Sequence, residues 1–313
     1  MRLHQSTLLA TLVLAAAASA QAQSSVTIYG RMNLTLERQK AGADSRTVMQ
    51  NNSSRIGFKG TEDMGGGLKA GFQLEHGISP ETGKATQSAF WARQSEAFIG
   101  GNFGTLRLGN FTSEAYFATA DYVSAHNHDT GTSSDAFYAY VGRNTSKVAY
   151  RLPALGGFSL EAAVALHEQT AGRENSYDVA ANYDAGPLHL GAGYERNGDA
   201  NQFAVRVLYE LGDFAFGGYV QRDKNAYAAG SRTTTRLAAM YTLGATTEFH
   251  ANWGHAGSYS DVGGDSSANQ FTLGLNYKLS KRTKVYGFYT KIADKGTIYG
   301  DFSSMAVGVR HNF

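Results

Sequence analysis

The sequence predicts an all-β protein, a 16-stranded antiparallel transmembrane β-barrel, and three observations carry that expectation. Beyond its first residues the chain breaks into short segments in which apolar and polar residues alternate with a period of two. It opens with the pattern of an export signal, yet no later apolar run approaches the ~20 residues a membrane helix needs. Short turns alternate with longer polar connections, as in barrels that gather turns at one end and loops at the other.

The opening residues, MRLHQSTLLATLVLAAAASAQA, place one Arg near the start, an apolar stretch from Leu8 to Ala18, and a small-x-small site at Ala20-Gln21-Ala22. Residues 1–22 are therefore expected to be a signal peptide and residues 23–313 the barrel domain. Loss of Arg2 lowers the formal charge from +2 to +1, and no basic patch or stripe suggests nucleic acid as a partner. There is no Cys, although an exported protein is free to form disulfides. An exported chain without membrane helices enters lipid only as a closed barrel, because backbone groups cannot stay unpaired there.

The first strand is VTIYGRMNLTLE, with Val26, Ile28, Gly30, Met32, Leu34 and Leu36 on one face and Thr27, Tyr29, Arg31, Asn33, Thr35 and Glu37 on the other. The stretch KAGADSRTVMQNNSS reads as a loop. RIGFKG and LKAGFQLE follow as a hairpin turned over Glu62–Gly67. FWARQSEAFIGG is a fourth strand with blurred parity, and GTLRLGN a fifth that sets Leu106 and Leu108 against Arg107. Eleven more segments follow the long connection after Asn110, in pairs from SKVAYRL and FSLEAAVALHE to a final MAVGVRHNF. Pro153 falls between strands, where its missing N–H costs nothing. Many strand ends carry Tyr or Phe, as aromatic girdles require.

A soluble sandwich or propeller would alternate similarly, burying its apolar face. The polar faces here hold Arg, Glu, Gln, His and Lys on many strands, and no repeat near 40 residues suggests propeller blades. A barrel of this width cannot be filled by side chains, so its polar faces line water. Arg31, Arg55, Lys59, Lys69 and Arg107 fall on polar faces; Arg93 lies where parity is blurred. The connection 111–143 has no strand rhythm and carries Glu114, Asp121, Asp129 and Asp135. Basic wall and acidic loop together would set a transverse field favouring small polar solutes, anions where arginines dominate.

Signals for other chemistry are poor. Neither G-x-S-x-G nor H-E-x-x-H occurs, so no enzyme is expected. The triple glycine 65–67 has no Lys-Ser/Thr behind it to cradle phosphate. His126, His128 and Asp129 form H-x-H-D, without the defined ligand set a metal requires; neither metal nor cofactor is expected. An adhesin would need longer loops, and a solute-specific channel a binding track in the lumen.

The stretches VTIYGRMN, SRIGFKGTEDMGGGLKAGFQLEHG, FWARQSEAFIGGNFGTLRLGN, NTSKVAYRLPALGGF and the terminal VGVRHNF resemble the Gram-negative general porins of beta-proteobacteria, the neisserial and Burkholderia-type trimeric group. The resemblance spans residues 23–313. It implies a homotrimer in the outer membrane, bounded by lipid and lipopolysaccharide, that passes small hydrophilic solutes passively. It implies that the third extracellular loop, about 111–143, folds into the barrel. It also implies a basic constriction side of Arg31, Arg55, Arg93, Arg107 and Lys59 facing the loop acids. Phe313 resembles the signal read by the barrel-assembly machinery. Two positions depart from the pattern: Arg31 stands where an acid is frequent, and Asn110 where Arg is usual.

Overall fold

The computed structural model describes residues 25–124 and 136–313, and sixteen antiparallel strands close into one ring. The first eight are β1 (Ser25–Ala41), β2 in two pieces (Asp44–Asn51 and Arg55–Gly65), β3 (Leu68–Ser79), β4 (Gln94–Gly101), β5 (Gly104–Asn110), β6 (Lys147–Arg151), β7 (Phe158–Ala165) and β8 (Ser176–Ala185). The rest are β9 (Leu188–Asn197), β10 (Ala200–Leu211), β11 (Phe214–Lys224), β12 (Ser231–Leu243), β13 (Thr247–Ala256), β14 (Ala268–Lys278), β15 (Thr283–Asp294) and β16 (Phe302–Asn312). Each strand pairs with its neighbour in sequence, and β16 returns to β1 with Arg31 opposite Asn312 and Ala41 opposite Phe302. Among the described residues, closure pairs each of these sixteen strands on both sides. The expected export signal, residues 1–22, lies outside the described residues.

The faces are inverted relative to a soluble protein, which decides against the sandwich. Val26, Ile28 and Leu36 of β1 are 66, 59 and 54 % exposed, while Asn33, Thr35 and Glu37 on its other face are 0, 2 and 1 % exposed. The same inversion recurs on β10, where Phe203, Val205 and Val207 are exposed and Gln202, Ala204 and Arg206 buried. Apolar side chains thus face lipid and polar ones the interior. Near the short-turn end, Phe158, Tyr183, Tyr209, Phe214, Phe249 and Tyr277 are all exposed aromatics, and Phe214 and Tyr241 stack at 4.7 Å. They make one girdle of the kind expected at a membrane interface. No helix among the described residues is long and apolar enough to cross a membrane.

Two local expectations are corrected. The stretch read as a loop after β1 contains the first piece of β2, paired from Leu34–Asn51 to Ala41–Asp44. Gly42, at φ +58, makes the tight turn, and Met49 joins Leu36 on the exposed apolar face. The polar run 51–54 hides this strand because it is a break within it: Asn52 N–H donates to Asn33 O at 2.8 Å and Ser53 has φ +60. The blurred parity of the fourth segment has an equally local cause. Phe90 and Trp91 precede β4 and cover the outer wall, Phe90 stacked on His76 at 4.1 Å and Trp91 edge-on to Phe58 at 6.1 Å.

Candidate functional site

The first group of predicted residues converges on Glu75. Arg31 and Arg55 stand directly opposite each other on β1 and β2, and Glu75 on β3 is opposite Gly57. Two arginines in register repel. Glu75 relieves them: its carboxylate lies 3.5 Å from Arg55 Nε and accepts from Arg93 Nε at 2.7 Å and from Tyr29 Oη at 3.1 Å. Arg31 Nε donates to Asn312 Oδ1 at 3.2 Å and lies within electrostatic reach of Arg55, Arg310, Arg93 and Glu75. Among the described residues, Glu75 is therefore shared by Arg55 and Arg93 and lies in the field of Arg31, while Arg310 lies in the fields of Arg31 and Arg55. Lys59 is on the same wall, 5.3 Å from the Tyr29 ring centre. Arg93 reaches this group from just before β4, which strand parity could not have placed.

Arg107 belongs to a second group. Its guanidinium lies 2.8 Å from Glu96, 3.0 Å from Glu161 and 3.8 Å from Glu114, and 4.2 Å over the Phe111 ring. Arg151 on β6 pairs with Glu114 at 2.7 Å and Glu161 at 2.8 Å. Three carboxylates share two arginines, so this wall carries an acidic excess. Burial pushes the Glu114 carboxyl above its ordinary range, against the pull of Arg151. Arg151 and Glu161 were missed in sequence, although the alternation puts each on a polar face; Glu96 falls in the segment of blurred parity. Asn110, where an Arg was the usual residue, instead fixes the segment before β4 by donating to Ala92 O at 2.9 Å.

The described parts of the long connection, 111–124 and 136–143, run along the wall from β5 to β15: Glu114 meets Arg107 and Arg151, and Phe137 packs on Ala256, Ala268 and Ile292. Ser113 caps a single turn α1 (Glu114–Tyr116), which runs into a π-helical turn over Phe117–Asp121. Gly191 and Gly193 on β9 give it room: a Cβ there would stand 2.1 Å from Ala118 O and 2.7 Å from Ala115 O. Arg206 Nε donates to Ala118 O at 2.9 Å, and its guanidinium lies 3.6 Å over the Tyr122 ring. On the return limb, the Gln221 amide clamps Ala139, accepting from its N–H at 2.8 Å and donating to its carbonyl at 3.1 Å. Tyr138, fully buried, bonds Thr119 and Gln202 at 3.0 Å each. Of the predicted acids, Glu114 and Asp121 are in this packed portion; Asp129 and Asp135, with His126 and His128, lie outside the described residues.

In a ring of sixteen strands, β9 and β10 stand across from β1 and β2.

Comparison with known proteins is consistent across the chain. A family profile described as Gram-negative porin matches residues 9–297. Outer membrane porin protein 32 of Delftia acidovorans is 31% identical over 354 residues, covering 98% of this chain and 99% of the relative. Major outer membrane protein P.IB of Neisseria lactamica is 29% identical, covering 95% of this chain and 97% of its own. Among solved structures, an anion-selective porin from Comamonas acidovorans superposes with a TM-score of 0.77 at 28% identity, covering 93% of this chain and 100% of that one.

Proposed function

The chain belongs to the Gram-negative porin family, and on that premise we propose that it is an outer-membrane general diffusion porin passing small hydrophilic solutes and ions with a mild anion preference. The observation that supports the selectivity is the Glu75 group: among the described residues, Arg31, Arg55, Arg93 and Arg310 gather on the wall where Glu75 is the carboxylate that Arg55 and Arg93 share. In a narrow, low-dielectric passage such a gathering of cations concentrates anions. The acidic excess around Arg107 and Arg151 keeps the preference mild.

The connection 111–143 is the constriction loop on this reading, supported by its packing on polar faces that look away from lipid. Lys59 and Arg107 complete the basic side, with Glu114, Asp121, Asp129 and Asp135 on the loop. Residues 1–22 are the export signal and Phe313 the residue offered to the barrel-assembly machinery. The protein acts as a homotrimer surrounded by lipid and lipopolysaccharide. One feature supports a covered wall: β4, β5, β6 and β7 have only 8, 7, 5 and 8 residues, short of the ~9–11 that span a bilayer. A neighbouring barrel would shield that low wall.

Planar-bilayer recording tests the whole. Stepwise conductance with a reversal potential on the anion side of zero is expected in a chloride salt gradient; absence of conducting steps refutes the porin reading.

A further inference from the structure

The lipid-facing wall of β10, β11 and β12 is interrupted by a groove of about 530 Å³. Gly218 makes its floor. The strand register sets Gly218 between Val207 and Leu237, both exposed, yet a Cβ on Gly218 would fall 2.3 Å from Arg236 O, so the wall has a gap there. Val205, Val220 and Phe216, exposed in turn, continue the apolar sides of the groove.

Toward the long-loop end the same outward face turns basic. Val220 is followed at two-residue steps by Arg222 and Lys224, and Lys224 is level with Asn201 and, through it, with Arg196 on β9. All three cations are exposed. Arg222 donates to Thr233 Oγ1 at 3.1 Å and Arg196 Nε to Gly198 O at 3.2 Å, which lays each along the wall. The neighbouring acids in these strands, Glu195 and Asp223, are buried on the inner face, and Asp199 sits in the adjoining turn. Tyr194 and Phe203, both exposed, stand level with Arg222, as rings do at a headgroup boundary. From Gly218 to Lys224 is about 20 Å along a strand. At the ~45° tilt of a spanning strand that is about 14 Å of depth, close to one leaflet of a ~30 Å hydrocarbon core.

Exposed apolar side chains meet any lipid, and single cations at a strand end are ordinary. Here a groove lies about one leaflet below a cluster of three cations, which matches a molecule with a hydrocarbon chain and an anionic head. We propose that this face holds an outer-leaflet lipid with a phosphate headgroup, one acyl chain in the Gly218 groove and the phosphate at Arg222, Lys224 and Arg196. Guanidinium and ammonium groups donate charge-assisted hydrogen bonds to phosphate oxygens. The site rests on the porin reading, which puts the long loops outside the cell. It uses strands other than β4 to β7, the wall assigned above to a neighbouring barrel.

The test is native mass spectrometry of the purified assembly in detergent, titrated with dioleoyl phosphatidic acid or dioleoyl phosphatidylcholine. The first phosphatidic acid should bind at the lower concentration. Arg222→Gln with Lys224→Gln should weaken phosphatidic acid about tenfold, as expected for losing two cations near a charged headgroup, with phosphatidylcholine little changed. Val207→Trp, which lays an indole across the groove, should weaken both lipids and keep the preference. All these side chains are exposed on the outer wall. Arg196→Gln, on a separate strand, should weaken phosphatidic acid by a smaller factor and keeps the test decisive where the double variant fails to assemble. Equal binding of the two lipids to wild type, or a preference unchanged in both cation variants, overturns the site. So does unchanged lipid binding in Val207→Trp, or a change there in protomer number instead, which would give the groove to a second copy. Each of these outcomes leaves a conducting porin; wild-type protein without conducting steps would overturn the porin reading on which the site rests.

Discussion

Gly30 and Phe313 exchange both backbone hydrogen bonds, Gly30 N–H to Phe313 O at 3.0 Å and Phe313 N–H to Gly30 O at 3.1 Å. The last residue of the chain thus completes the β16–β1 seam, and its ring lies over the position where Gly30 lacks a side chain. A Cβ on Gly30 would fall 2.3 Å from Phe313 Cζ and 2.6 Å from Arg55 O. Gly30→Val should therefore open the seam and cost at least about 1–3 kcal/mol, and deletion of Phe313 should remove both bonds. Both variants are expected to give less assembled barrel, measured as the fraction resisting unfolding in detergent before heating. Unchanged assembly would show that the seam tolerates a side chain here.

The arginine wall predicts selectivity of both signs. Replacing Arg31, Arg55 and Arg93 together with Gln should move the reversal potential toward the cation side. Glu75→Gln should move it the other way, because Arg55 and Arg93 lose their shared carboxylate. An unchanged potential in the triple variant would remove these residues from the filter.

Ionic strength offers a check that needs no variant. The screening length falls from ~10 Å at 0.1 M salt to ~3 Å at 1 M. Anion preference measured at a fixed gradient ratio should weaken markedly over that range; a constant preference would point to pore width rather than charge.

Acid should strengthen anion preference through Glu114. Its carboxyl is raised by burial, so it is charged above its shifted value and neutral below it, and each protonation removes one negative charge beside Arg107 and Arg151. As pH falls through the mildly acidic range, the wild-type reversal potential should shift to the anion side. Glu114→Gln should start from that shifted position and change less. Parallel titration of both proteins would rule out Glu114 as the source.

The return limb of the loop depends on Gln221. Gln221→Ala removes two buried bonds to Ala139, a loss of about 1–3 kcal/mol. Increased open-channel current noise is the expected result, read in single-channel records; noise equal to wild type would show that the remaining bonds, such as Arg232 to Phe137 O and Tyr227 to Tyr138 O, hold the limb without Gln221.

Much of the architecture was legible because a strand has the shortest period a sequence can show. Alternation along VTIYGRMNLTLE assigned Arg31 and Asn33 to one face without any tertiary information, and the same rhythm counted sixteen segments. It failed where side chains outside strands mimic the rhythm, at Phe90 and Trp91, and where a polar break interrupts one strand, at Asn52 and Ser53. Gly191 and Gly193 carried a signal that went unread: two glycines on the polar face of one strand mark where another backbone comes close.

By itself, then, the sequence determined what is local and periodic: strand number, face polarity, and which cations share a polar face. Only the tertiary structure decided which charges meet. Arg107 and Arg31 are alike in sequence terms, both arginines on polar faces. Closure of the ring gives one to Glu96, Glu161 and Glu114 and the other to Asn312 and the Glu75 group. The physical reason is that electrostatic partnership depends on distances of a few ångströms, set by strand register and by the seam between β16 and β1, which joins the two ends of the chain.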